Sequence, residues 1–258
     1  MTFIKTEIEG SVMKITLNRP DKFNSFNREM ALQFQDSLDK AAINKTIRAV
    51  YLTGEGKAFC AGQDLSEAMD TNGPGIERIV REHYNPIILK IRNLEKPVVC
   101  AVNGVAAGAG ANIALACDIV VAATSVAFIQ AFSKIGLIPD SGGTFFLPRL
   151  IGFGKASALM MLGDKVSAHD AEKMGMIYKV TDDTVLQIEA FEIAKKLADL
   201  PTIGLSLTKK LLNTSMSNNL TDQLTYEGDM QVHAASTYDY NEGVNAFLEK
   251  RKANFKGE

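Results

Sequence analysis

Pro97-Val-Val-Cys-Ala-Val-Asn-Gly104-Val-Ala-Ala-Gly108-Ala-Gly110-Ala-Asn112-Ile-Ala-Leu-Ala-Cys117 runs for 21 residues without a charged side chain. Its length matches a membrane span, and Gly104-x-x-x-Gly108 would suit close helix contact there. The punctuation argues otherwise. A proline opens the stretch, two asparagines and three glycines interrupt it, and Asp118 precedes a second uncharged run over 119–133. A short apolar strand over 97–102, a glycine turn, an Ala-rich helix to about 117 and a further strand over 119–122 account for all of it. That is the buried core of an α/β domain.

The flanks extend this reading. Residues 3–8 and 12–17 alternate apolar and polar around Glu9-Gly10-Ser11, a hairpin signal. Residues 18–21 form a turn, and 27–43 have the period of an amphipathic helix. A β-rich run over 48–53 ends at Gly54-Glu55-Gly56, and helical periodicity returns over 77–93. Beyond Gly154 helical patterns dominate: 155–162, 168–174, 185–200, 203–215, 220–236 and 241–252. The expected organisation is an α/β core over 1–195 and a helical C-terminal region over 196–258, with no low-complexity linker between them.

Composition narrows the chemistry. The 258 residues are 46% apolar and 22% charged, with 28 basic against 30 acidic side chains. A net charge of −2 gives no global pull toward nucleic acid or a membrane surface. Histidine and cysteine number three each, and tryptophan is absent. Cys60, Cys100 and Cys117 are far apart and form no C-x-x-C, which argues against a disulfide framework and for a reducing, cytoplasmic compartment. His83, His169 and His233 have no metal-ligand spacing, so no metal is expected. The N-terminus is charged from Lys5 onward and lacks the apolar segment of a secretory signal.

Three glycine-bearing segments carry candidate chemistry. Gly104-Val-Ala-Ala-Gly108-Ala109-Gly110 follows a strand and opens a helix. It lacks the third glycine of a dinucleotide fingerprint and the Gly-Lys-Ser/Thr of a P-loop, and Gly152-Phe-Gly154-Lys155 fails the same test. It does offer unpaired N–H groups at a helix start, suited to a developing oxyanion. The same small residues would also let a helix pack closely on a strand. Lys57-Ala-Phe-Cys-Ala61-Gly62-Gln63-Asp64 supplies a second such turn. In Ile138-Pro-Asp140-Ser-Gly142-Gly143-Thr144 a single carboxylate sits in an apolar, glycine-rich loop. Asp140 could N-cap a following helix. In apolar surroundings it could instead hold a raised pKa and shuttle a proton.

Together these segments resemble the crotonase superfamily, the enoyl-CoA hydratase/isomerase group. The likeness covers nearly the whole chain, from Leu17-Asn-Arg-Pro20 through Phe59-Cys-Ala-Gly-Gln-Asp64 and Gly136-Leu-Ile-Pro139 to Glu242-Gly-Val-Asn-Ala-Phe247-Leu-Glu-Lys-Arg251. It implies a crotonase-type spiral of ββα units with a helical C-terminal trimerisation part, assembled as a homotrimer or homohexamer. It also implies an acyl-CoA thioester whose carbonyl oxygen lies between the backbone N–H groups of Gln63 and Ala109. Ala109 stands where many relatives have glycine. Coenzyme A is then part of the substrate and no separate cofactor is needed. The resemblance places Lys22 and Ala61 against coenzyme A, with Phe247 and Lys250 reaching it from a neighbouring subunit. Ser66 replaces a lysine that some hydratases carry.

The likeness also marks a departure. Two glutamates that hold and activate water in family hydratases correspond to Asn112 and Phe132. Asp140 remains as the acid, at a position some family isomerases use. Stretches such as His83-Tyr-Asn-Pro86 and Ala131-Phe-Ser-Lys-Ile-Gly136 are most similar to the branch that converts an aromatic ring epoxide of phenylacetyl-CoA to oxepin-CoA. That branch implies Δ3-to-Δ2 enoyl-CoA isomerisation too. The expectation is therefore an isomerase with Asp140 as proton shuttle. An enoyl-CoA hydratase and a non-catalytic CoA-binding subunit are the alternatives.

Overall fold

The computed structural model describes residues 2–258. Its strands follow the chain as β1 (Ile4–Glu9), β2 (Val12–Leu17), β3 (Ala49–Gly54), β4 (Ala58–Cys60), β5 (Val98–Val102), β6 (Val105–Ala107), β7 (Ile119–Ala123), β8 (Ala127–Ile129), β9 (Lys165–Ser167) and β10 (Lys179–Thr181). One sheet has the order β1-β2-β3-β5-β7-β10 and a second the order β4-β6-β8-β9. β1 and β2 are the expected antiparallel hairpin, and β2, β3, β5, β7 and β10 run parallel. β5 is apolar and buried at every position, as a parallel strand covered on both faces requires. The helix Leu186–Ala198 crosses β3, β5 and β7, and its Phe191 meets Tyr51 edge-on at 5.5 Å. The expected boundary at 195/196 falls inside this helix.

The chain repeats one pattern three times. A strand of the first sheet leads into a short strand of the second and then into helix: β3-β4, β5-β6 and β7-β8 each do this. This is the ββα spiral. Because β4 pairs parallel with β6, and β6 with β8, the chain leaves all three short strands side by side along one edge. The uncharged 97–117 stretch resolves into β5, β6 and the helix Ala109–Leu115. Among the described residues, no helix is long and apolar enough to cross a membrane.

The helix expected over 77–93 contains an irregularity. A π-helical segment, Ile79–Tyr84, lies between Gly75–Arg78 and Asn85–Asn93. The wider turn keeps Ile79, His83 and Tyr84 on the buried side together with Ile87, Ile88 and Ile91.

The C-terminal region is helical as expected: Thr202–Ser215, Leu220–Ala235 and Tyr238–Leu248. A buried lysine ties it to the core. Lys209 Nζ donates to Ile91 O at 2.7 Å and Asp118 Oδ2 at 2.8 Å. Asp118 also meets Arg92 at 3.3 Å and accepts from the Val98 N–H at 2.8 Å. Asp118→Leu strands the Lys209 charge in the interior. It is expected to cost about 3–5 kcal/mol, read from the midpoint of urea unfolding.

Candidate active site

The turns that leave β4 and β6 meet. Gly62 has φ +92° and Gly108 φ +53°, conformations open to glycine and strained for other residues. A Cβ placed on Gly62 would lie 3.0 Å from Ala107 O and 3.5 Å from Ala109 N, so the two turns touch. The first turn is pinned on both sides of Gln63. Phe26 N–H donates to Gly62 O at 2.7 Å, and Asp64 N–H donates to Phe26 O at 2.8 Å. Asp64 is itself held by Arg19 at 2.7 Å. With those bonds made, the Gln63 N–H has no acceptor among the described residues. Ala109 opens the helix Ala109–Leu115, so its N–H has no intrahelical partner. Ala109 has no left-handed backbone angle, so alanine fits there without strain.

Ala61, Gln63, Ala109 and Asp140 line one cavity of about 220 Å³. Among the described residues Asp140 is the only acid lining it, and Leu65, Ile76, Ile79 and Phe132 form much of the apolar wall. Asp140 is half-buried in a tight loop in which Ser141 has φ +51° and Gly142 φ +73°. Burial raises the Asp140 pKa, and a 2.9 Å bond from the Ser141 hydroxyl to Oδ1 opposes that rise. The helix-capping alternative for Asp140 is corrected. Gly142, in the left-handed region, caps the helix Gly143–Ile151 with no side-chain bond. It turns the Asp140 backbone carbonyl, not the carboxylate, toward the Gly143 N–H at 2.9 Å.

Neither of the other two acid positions holds an acid or a free polar group. Asn112 is fully buried. It donates through Nδ2 to Asp140 O and accepts through Oδ1 from Gln130 Nε2, both at 2.8 Å. Phe132 is buried with its ring edge toward Gly108, 3.7 Å from where a Cβ there would stand.

Two participants escape the sequence reading. The Tyr84 hydroxyl donates to Gln63 Oε1 at 2.9 Å, and Gln63 Nε2 donates to Glu67 Oε2 at 3.0 Å. Glu67 in turn accepts from the Arg28 N–H at 2.9 and 3.1 Å. Burial pushes the Tyr84 phenol well above its usual pKa, so it stays a neutral donor. Tyr84 shares the helical spacing of the buried Ile87, Ile88 and Ile91, which reads as core packing and gives no sign of its bond to Gln63.

The remaining expected residues divide. Lys22 is exposed, one residue before Phe23, whose carbonyl accepts the Ala61 N–H at 3.0 Å, so it lies close to the first turn. Phe247 and Lys250 stand at the end of the helix Tyr238–Leu248. Phe247 borders a separate groove with Tyr240, Val244 and Leu248 that shares no residue with the Asp140 cavity. Within one chain they are not part of this site.

Comparison with known proteins gives a consistent set. Residues 7–258 match the family described as enoyl-CoA hydratase/isomerase. The 1,2-epoxyphenylacetyl-CoA isomerase of Escherichia coli (strain K12) is 48% identical over 100% of this chain and 99% of its own length. A Rhodobacter capsulatus protein named "probable enoyl-CoA hydratase" is 41% identical over 98% of each chain. The crystal structure of an enoyl-CoA hydratase from Bacillus anthracis superposes with a TM-score of 0.93 at 35% identity, covering 100% of both chains.

Proposed function

The chain belongs to the enoyl-CoA hydratase/isomerase family, and on that premise we propose that this enzyme is an acyl-CoA isomerase that moves one proton across a thioester enolate. One observation carries the proposal. Among the described residues Asp140 is the only acid lining the cavity that Gln63 and Ala109 also line, and the N–H groups of those two have no acceptor. The ionised Asp140 carboxylate takes a proton from C2 of a Δ3-enoyl thioester. The electron pair moves onto the thioester oxygen, where the two N–H groups stabilise it. The protonated Asp140 then returns the proton to C4. The double bond moves from C3=C4 to C2=C3, and the carboxylate is regenerated with no net gain or loss of atoms. The raised pKa of Asp140 suits a group that must both take and give the proton.

Likeness to the Escherichia coli enzyme favours an acyl group of the epoxyphenylacetyl type, rearranged to the isomeric oxepin-CoA. The apolar wall with Phe132 suits such a ring. Coenzyme A enters as part of the substrate, with Lys22 and Ala61 along it and no separate cofactor. Phe247 and Lys250 reach it from a neighbouring subunit in a homotrimer or a homohexamer, for which the exposed Phe247 and Leu248 provide apolar surface. Three free, buried cysteines suit a cytoplasmic setting.

A paired assay tests the reading. The enzyme is expected to convert 3-hexenoyl-CoA to 2-hexenoyl-CoA, followed by the ultraviolet absorbance of the newly conjugated thioester, while leaving crotonyl-CoA largely unhydrated, followed by mass spectrometry. Rapid formation of 3-hydroxybutyryl-CoA overturns it in favour of a hydratase. Tight acyl-CoA binding with neither reaction makes the chain a non-catalytic CoA-binding subunit.

A further inference from the structure

We propose that Asn112 is the positioning residue that sets the Asp140 carboxylate against the oxyanion amides, an inference that rests on the isomerase reading above. Asn112 lies one helical turn beyond Ala109, on the short helix whose first residue lines the cavity. Its carboxamide is spent in two bonds within the chain. Nδ2 holds the Asp140 carbonyl at 2.8 Å, and Oδ1 is held by Gln130, two residues before Phe132. One buried side chain therefore fixes three parts of the site to each other: the Ala109 turn, the Asp140 loop and the segment carrying Phe132.

The loop is shaped to receive it. A Cβ on Gly143 would lie 2.4 Å from Asn112 Nδ2, so only glycine at 143 leaves room for the carboxamide to reach Asp140. Ser141 completes the mount from the other side. Held at φ +51° and almost fully buried, it donates to Asp140 Oδ1. Asp140 is thus fixed by its carbonyl and by one carboxylate oxygen. The Ser141 hydroxyl occupies Oδ1, which leaves Oδ2 as the oxygen to carry the proton. An ionised acid at 112 would be an acceptor facing the Asp140 carbonyl, so the amide supplies a donor there that a carboxylate cannot.

The test uses the full chain and two probes: isomerisation of 3-hexenoyl-CoA, and exchange of the C2 protons of butyryl-CoA in D2O followed by proton NMR. Asn112→Leu removes the donor. Gly143→Ala leaves Asn112 in place and intrudes on its carboxamide. Each is expected to lower kcat and the exchange rate about 100-fold, the scale of an ångström-sized misplacement of a catalytic group. KM should stay within about twofold of the wild-type value in keeping with an untouched binding wall. The acidic limb of the kcat profile should move to lower pH as the loosened carboxylate gains water. A folded Gly143→Ala or Asn112→Leu enzyme with wild-type kcat and pH profile, merely melting earlier, overturns the proposal. Asp140→Asn run alongside separates the two levels. If it keeps exchange, the isomerase reading itself fails. If it alone loses exchange, only the role of Asn112 fails.

Discussion

Asp140→Asn is expected to reduce isomerisation of 3-hexenoyl-CoA by about 1,000-fold, within the range typical of a lost general acid–base group, while acyl-CoA affinity is retained. The substitution preserves shape and removes one capability. Asn can still accept the Ser141 hydroxyl through its amide oxygen, so the loop that holds position 140 keeps its bonds. It cannot take a proton from C2. Among the described residues no other acid lines the cavity to substitute for it, and Asn112 and Phe132, the positions that the resemblance matches to hydratase glutamates, carry none. Steady-state turnover and calorimetric binding of a saturated acyl-CoA separate the two effects. Wild-type turnover would show that another group moves the proton.

The same variant should be more stable than the wild type at neutral and alkaline pH. The folded Asp140 pKa is raised above its ordinary value of 3.8, chiefly by burial. The folded state therefore binds this proton more tightly than the unfolded chain does. Between 3.8 and the raised value, stability falls as pH rises, and above it the full cost of a buried, ionised carboxylate persists. Asn carries no such charge. A higher Tm for Asp140→Asn at pH 8 and a smaller gain near pH 4 are the expected pattern. Wild-type kcat should rise with pH through the same raised pKa, because the ionised form is the base.

What could be read in advance follows the range of the interactions involved. The apolar run of β5, the hairpin around Gly10 and the long amphipathic helices announce themselves through local periodicity, and they lie where the pattern puts them. β4, β6 and β8 are three residues each, too short for alternation to register. Yet their parallel pairing is what places the Gly62 and Gly108 turns in contact, and only family resemblance pointed to that meeting. For Asp140 the local sequence allowed two roles. The left-handed angles at Ser141 and Gly142 removed the capping role by aiming the carbonyl, rather than the carboxylate, at the helix. Asn112 was legible as a missing acid but not as a clamp, since its partners lie 18 and 28 residues away. Tyr84 carries the spacing of a core residue with Ile87, Ile88 and Ile91, and its bond to Gln63, 21 residues away, has no local signal.

Gly62→Ala is the complementary experiment, because it strikes the oxyanion amides and leaves the base alone. Position 62 sits at φ +92°, where any L side chain is strained. Its new methyl would stand 3.0 Å from Ala107 O and 3.5 Å from Ala109 N. The bonds that hold Gly62 O and Asp64 N to Phe26 resist a compensating shift of the first turn. Relief must then come from separating the two turns, which draws the Gln63 and Ala109 N–H groups apart. An oxygen between them can keep one donor but not both. Losing one donor typically costs about 2.7–4 kcal/mol in the transition state, so kcat should fall about 100- to 1,000-fold. The pH at which kcat rises should not move, since Asp140 keeps its surroundings. Stability should change in the direction opposite to Asp140→Asn: a strained left-handed residue costs about 1–3 kcal/mol, so Tm should drop. A Gly62→Ala enzyme with full turnover and an unaltered Tm would show that the oxyanion is not held at this pair of turns. An enzyme that loses turnover through a shifted pH profile would place the damage at the base instead.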